Sequence, residues 1–399
     1  MPRPTPFHPR TSELCTSLAY KEWAGCYAVC RYDTYHDREY YALRHQATLM
    51  DATPLYKYEL RGANAADLLS RVTVRDYSKH KIGRVSYVCW CDEHGKVLDD
   101  GTVTKLDDDH FRITSADPAF AWLQRNSRGL DVEITDISRE MAALALQGPL
   151  SREVLRPVVG AGIDKLRFFR AMPVRYALEG GDAEGILTRT GYTGDLGYEL
   201  WMANEDAIRV YDAVMESGKP LGMLPMGLDA LDVSRVEAGF LLNGVDYTSA
   251  RSAFIERQKS TPHELGFDWM VSLDRDPFVG QAAIRAEVRR GVARRLIGLE
   301  VNWKDFEAIY ESFGLAPHLT TETCRAGAPL YHDGLQIGYA TSRTWSPTLK
   351  KYLALGTVLA KHATPGTQLE IEVTCEYERH RAAAVVTQTP FFDPERKKA

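Results

Sequence analysis

Hydrophobic and polar positions change rhythm along this chain, and the changes divide it. Residues 1–38 hold no regular period, and Tyr20, Trp23, Tyr27, Tyr32 and Tyr35 mark an arm packed on the body by its aromatics. Beyond it, runs rich in strand-forming residues at 55–60, 85–91, 97–106, 141–148 and 186–190 mix with helical stretches at 39–44, 62–72, 151–158 and 227–239. In 62–72, Leu68 and Leu69 fall inward; in 227–239, Leu228, Leu231 and Val236 keep roughly helical spacing and Gly239 supplies a left-handed stop. Asp92-Glu93-His94-Gly95 reads as the turn joining 85–91 to 97–106 in a hairpin. This irregular alternation predicts an α+β fold for the N-terminal two-thirds. From Leu296 the texture shifts to short strands at 296–301, 329–331, 336–342, 353–359, 369–376 and 381–388, separated by Gly and Pro turns, which predicts a small β-barrel.

One stretch fits neither helix nor plain strand. Gly191-Tyr192-Thr193-Gly194-Asp195-Leu196-Gly197-Tyr198-Glu199-Leu200 has three glycines in seven positions between strand-like flanks, so it reads as a hairpin with a special loop. Period-2 alternation turns Glu199 away from the face that carries Tyr198 and Leu200. A carboxylate left unpaired in a buried strand costs several kcal/mol, roughly, so Glu199 lies either at an exposed edge or opposite a donor. The neighbours Asp99 and Asp100 pose a related question. Adjacent strand residues face opposite sides, so only one of the two can serve a given site, and a turn would suit both equally well.

Composition removes several function classes. At 399 residues and 44% hydrophobic, the chain can bury more than one core, and two or three domains are expected. A net charge of -5 offers no basic field for nucleic acid or an anionic membrane. No apolar run is long enough to span a bilayer, and the start, with Pro2, Arg3, Pro4 and Pro6, lacks the apolar centre of a secretory signal, so a cytoplasmic location is expected. The seven cysteines make no paired framework. Cys26 and Cys30 would be neighbours on a helix and Cys89 and Cys91 would share a strand face, but neither pair has a second at zinc-site spacing. With the histidines scattered, no metal is expected. Asp107-Asp108-Asp109 lacks the spaced ligands of a calcium loop, and Arg285, Arg289, Arg290, Arg294 and Arg295 suit a solvated helix face and turn.

Four stretches taken together carry a resemblance. The glycine stretch, Gly227 to Gly239, Gly95 to Asp100, and Ser346-Pro347-Thr348-Leu349 followed by Pro365-Gly366-Thr367 run close to Y-T-G-E-x-G-x-E, G-L-x-A-R-D-x-L-R-L-E-A-G, G-G-x-x-D-D, and S-P-T-L with a later P-G-T. The chain thereby resembles the glycine-cleavage T-protein (aminomethyltransferase) family, which includes folate-dependent demethylases, in the right order from Glu39 to Phe392. The resemblance implies a three-domain, cloverleaf-like folate-binding α+β architecture with a C-terminal small β-barrel. Residues 1–50 and 140–245 would form the folate-binding domain, 51–139 a second α+β domain, 246–295 a connecting segment and 296–392 the barrel. It also implies tetrahydrofolate as cofactor, in a central channel. Asp100 would be the catalytic carboxylate near N5 of the pterin, and Tyr87 and Tyr192 would be aromatic walls for the flat ring. Glu199 would accept hydrogen bonds from the pterin's amino group and ring N–H, a donor pair that the two oxygens of one carboxylate match.

Departures from the family pattern bear on the substrate. Leu231 stands where the family has the Arg of A-R-D, and Thr364 where it has the Arg before P-G-T; Ala52-Thr53-Pro54-Leu55 replaces V-S-H-M; and Gly244-Val245-Asp246-Tyr247 replaces G-N-D-I, adding a phenol. The loss of two cations predicts retuning towards a small N-, O- or S-methylated compound as partner, with methyl transfer to give 5-methyl-tetrahydrofolate and Tyr247 as general acid. One alternative is a true aminomethyltransferase that forms methylene-tetrahydrofolate with a lipoyl carrier protein. The other is a folate-binding scaffold without turnover, although the K-G-C-x-x-G-Q-E type motif of that branch has no counterpart at 235–244, where there is no cysteine. Neither nucleic acid nor a membrane is an expected partner, and the sequence leaves the oligomeric state open.

Overall fold

A computed structural model describes residues 1–319 and 322–399. Its first sheet has six strands in the spatial order Ala171–Tyr176, Ala183–Thr188, Gly197–Ala203, Met141–Gln147, Thr48–Asp51 and Leu224–Pro225, antiparallel up to the last pair. One face packs under the helices Ser151–Val159 and Ala207–Gly218, where Leu144, Leu146, Leu187, Tyr198 and Leu200 meet Val154, Leu155, Val210 and Val214. Pleating then sends Glu199 and Trp201 to the other face, into a cleft.

The second sheet is antiparallel throughout, in the order Val85–Cys91, Val97–Asp107, His110–Ser115, Tyr56–Arg61 and Glu133–Asp136. Helix Ala65–Val72 and helix Phe120–Asn126 contribute Leu68, Leu69, Val72 and Leu123 to its core. Residues 246–295 add Leu265, Phe267, Met270, Phe278 and Ile284 to the same core, so this segment packs as well as connects. The third unit is a closed six-stranded barrel, in the order Arg294–Val301, Lys351–Leu359, Leu335–Ser346, Ala328–His332, Gln368–Cys375 and Glu378–Thr387. Its first strand pairs with its last, which removes the sheet edges. The architecture is α+β with a C-terminal barrel, in line with the pattern of the sequence.

The aromatic arm is more ordered than its sequence pattern implied. Ala19–Trp23 and Cys26–Arg31 form a hairpin turned by Ala24 and Gly25, both at positive φ (47° and 77°), the backbone that a tight two-residue hairpin turn requires. Cys26 and Cys30 therefore lie on a strand, not on a helix; alternating aromatic and β-branched residues (Tyr27, Val29) favour the pleat, and Tyr20 packs edge-on against Tyr27 across it.

Helix Leu228–Glu237 sits at the centre of the three units, with Asp229, Asp232, Arg235 and Glu237 all buried. Each charge meets a partner from elsewhere. Arg44, on helix Asp37–His45, donates to the Glu237 carboxylate, to the carbonyl of Thr193 (3.0 Å) and to Asp195 (3.3 Å). Tyr40 and, from the barrel, Ser346 also donate to Glu237, while Arg396 donates to both oxygens of Asp195 (2.7 and 2.8 Å). Arg235 donates to Asp232 (2.7 Å), Asp246 and Ser342.

Removing one partner of such a pair leaves a buried charge uncompensated, at about 3–5 kcal/mol. We expect Arg44→Met, which leaves buried Glu237 without its cation and Asp195 with Arg396 alone, to lower stability against urea by about this amount, and Arg44→Met/Glu237→Leu to recover part of the loss. A single-variant loss below about 1 kcal/mol would mean that the cluster does not hold the units together.

Candidate active site

The cleft opens between the two sheets. Val85, Thr102, Thr104, Arg112 and Thr114 line it from the second sheet and Ile186, Thr188, Glu199 and Trp201 from the first, around a narrow gap of about 10 Å³. Asp100, Thr102 and Thr104 share one side of their strand by alternation.

Asp100 accepts hydrogen bonds from two phenols, Tyr87 on Oδ2 (2.7 Å) and Tyr247 on Oδ1. Asp99 points the other way. Its oxygens accept from the backbone N–H of Asp117 (2.8 Å) and from Nδ2 of Asn243 (2.9 Å), which also donates to Asp117 (3.2 Å). Burial pushes both carboxyls up: Asp99 to about 8, with the charge of Asp100 adding to the effect, and Asp100 upward against the downward pull of its two phenols. Burial and the nearby charge of Asp100 also raise Tyr87 and Tyr247 well above the ordinary phenol range, so both remain donors.

The structure thus brings Asp100, Tyr87 and Tyr247 into direct contact. The ring of Tyr87 stacks on exposed Trp269 (6.3 Å between centroids, 22°) and meets Phe267 edge-on. Tyr192 is placed differently: its hydroxyl donates to the carbonyl of Leu241 and its ring stacks on Phe240 (5.5 Å), with no hydrogen bond to Asp100. Glu199 accepts from Thr190 (2.8 Å) and Thr188 (3.3 Å), both on Oε2; Oε1 takes no hydrogen bond among the described residues. Burial raises its pKa.

One cleft residue was not singled out from the sequence. Arg112 stands between the core residues Phe111 and Ile113, so alternation alone could have put it, with Thr114, on the face opposite the core. The cationic loss at Leu231 also looks different in three dimensions. Leu231 packs beside an apolar cluster that includes Tyr40, Met226 and Leu228, but two arginines reach the same helix from elsewhere, Arg31 to Asp229 (2.9 Å) and Arg325 to Asp232 (2.8 Å). Thr364 lies in an exposed turn, where its carbonyl accepts from Thr367.

Two largely antiparallel sheets facing each other across a polar cleft, with a barrel packed on the helix behind them, define an α+β, three-unit class of protein. Comparison with known proteins agrees with this. The GCVT N-terminal domain matches residues 4–275 and the glycine cleavage T-protein C-terminal barrel domain residues 313–393. An aminomethyltransferase of Halalkalibacterium halodurans is 32% identical over 362 residues, 89% of each chain, and one of Anoxybacillus flavithermus 33% identical over 359 residues, also 89% of each. The crystal structure of glycine cleavage system aminomethyltransferase T from Bartonella henselae has the same fold, with a TM-score of 0.82 at 24% identity over 98% of this chain and 99% of that one. The chain belongs to the glycine-cleavage T-protein (aminomethyltransferase) family. Enzymes of this family carry out folate-dependent one-carbon transfer with tetrahydrofolate as cofactor. The cleft suits such a group, because it offers an open carboxylate oxygen from one sheet and an unpartnered guanidinium nitrogen from the other. Among the described residues no helix is long and apolar enough to cross a membrane.

The burial of Asp99 makes stability depend on pH. Its folded pKa, about 8, lies above the value of an unfolded Asp, near 3.9, so the folded state binds the extra proton between them. The stabilisation is complete below about pH 4 and is lost as pH rises through about 8. We expect Asp99→Asn to flatten the fall in unfolding free energy between about pH 5 and 8.5. An unchanged slope in urea titrations would contradict the assignment.

Proposed function

We propose that this chain transfers a one-carbon unit from an aminomethyl donor to tetrahydrofolate, with Asp100 as the catalytic carboxylate and Glu199 as the pterin anchor. The observation that carries this reading is the environment of Asp100. It is a half-buried carboxylate gripped by two phenols that keep their protons, and no Lys or Arg pairs with it among the described residues. Such a group favours positive charge developing next to it more than it favours the uncharged ground state, which is the differential stabilisation that raises kcat. When bound, tetrahydrofolate supplies the nucleophilic nitrogen. Glu199 then takes the pterin's amino group and ring N–H, and Tyr87 and Tyr192 wall the ring. The extent and identity of the match to aminomethyltransferases support a donor at this oxidation level.

Methyl transfer from a small methylated compound, giving 5-methyl-tetrahydrofolate, is the second reading. Leu231 and Tyr247 favour it. Against it, Tyr247 donates to Asp100 and holds its proton more tightly than a free phenol does, which makes it a poor acid for a leaving group near neutral pH. Arg31 and Arg325 also return cations to the helix that lost one.

Mass spectrometry of the folate pool after a single turnover separates the two. We expect methylene-tetrahydrofolate with stoichiometric ammonia; 5-methyl-tetrahydrofolate from a methylated amine, ether or sulfonium compound would overturn the first reading in favour of the second. Asp100→Asn should bind folate within a few-fold of the parent while kcat falls roughly 10²-fold or more. Tyr247→Phe should cost only about tenfold, because it removes one of two donors to Asp100, whereas loss of a true general acid costs roughly 10²–10⁴.

A further inference from the structure

We infer that Arg112 is a ligand-binding residue of the cleft, one that donates to the ring oxo group lying next to the donor pair taken by Glu199, so that the site selects a 4-oxopterin over its 4-amino counterpart. The inference rests on the pterin reading of the cleft and goes beyond it by assigning the opposite wall. Arg112 is 6% exposed. Its Nη2 donates to Glu59 (2.8 Å) and its guanidinium lies 5.8 Å from the Trp201 ring centroid, so two contacts fix its orientation. The hydrogen bond from Arg112 and the His110 ring 3.1 Å away outweigh burial at Glu59 and hold it low, at about 2, which keeps this anchor ionised. Nε is buried without any partner, and Nη1 donates to no acceptor among the described residues.

An arginine carries five N–H donors and no acceptor, and a buried donor left unmade costs about 1–3 kcal/mol. A cation kept in this state beside a cleft is accounted for if its acceptor arrives with the ligand. The threonines of the same wall do not supply that acceptor: Thr102 and Thr114 bond to each other (2.7 Å), and neither takes a hydrogen bond from Arg112 among the described residues. The cleft therefore presents a carboxylate from one sheet and a fixed cation from the other. Its complement is a planar ring whose edge runs from an amino group through a ring N–H to a carbonyl oxygen. A 4-oxopterin has that sequence of groups; a 4-aminopterin places a donor where Arg112 already points one.

The test measures binding to the full-length chain by anaerobic titration calorimetry, with tetrahydrofolate and its 4-amino counterpart reduced in the same way. We expect Arg112→Met to lower the ratio of 4-oxo to 4-amino affinity by about tenfold or more, Arg112→Lys to lower it less, and Glu199→Gln to weaken both ligands. If Arg112→Met, which leaves Glu59 with Arg61 and His110 alone, lowers the melting temperature, Arg112→Met/Glu59→Gln replaces it, with Arg112→Lys as the folded reference. An unchanged ratio with Glu199→Gln still weakening both ligands overturns the role of Arg112 and leaves the pterin reading intact. If Glu199→Gln leaves both affinities unchanged, the pterin reading itself fails, and the assignment of Arg112 falls with it.

Discussion

Burying the charges of helix Leu228–Glu237 is the constraint from which the rest of the structure follows. An ion taken out of water costs several kcal/mol unless partners meet it with good geometry. Here the partners come from several separate parts of the chain: Arg44 from the first unit, Ser342 and Ser346 from the barrel, Asp246 from the segment after the helix, and Arg396 from the tail through Asp195. The units can pack around the helix only when all of these arrive together.

The same helix shapes the surroundings of Asp100. Arg235 and the Leu242 N–H both donate to Asp246, pinning the loop that leads to Tyr247. Asn243, bonded to Asp99, ties this loop to the strand that carries Asp100. The two adjacent aspartates thus divide the work: Asp99 holds the loop from behind, and Asp100 receives the loop's phenol in front. Their opposite placement gives each carboxyl its own hydrogen-bond partners, although the charge of one still raises the other.

Glu199 and Arg112 show polarity being used differently. Each is held by a neighbour on its own side, Thr190 and Glu59 respectively, and each keeps hydrogen-bonding capacity unspent towards the cleft. A core built for stability alone would satisfy these groups internally. Leaving them open costs stability; in the function we propose, it is what recognises one edge of a flat ring.

What the sequence by itself determined was local or repeated. The six barrel strands and the Asp92–Gly95 turn were legible because short periods and turn residues are properties of neighbouring positions. The outward turn of Glu199 and the opposite faces of Asp99 and Asp100 were legible because pleating is strictly two-residue. The family was legible because its motifs persist in order. The tertiary structure alone decided which groups meet: Asp100 takes one phenol from 13 residues away and another from 147 away, and Arg325 answers a loss at Leu231 from 93 residues beyond Asp232. The hairpin at 19–31 and the pairing of Arg112 with Glu59 belong to the same category. Partners so distant are chosen by packing and by the cost of burying charge, and no local pattern of hydrophobic and polar residues encodes that choice.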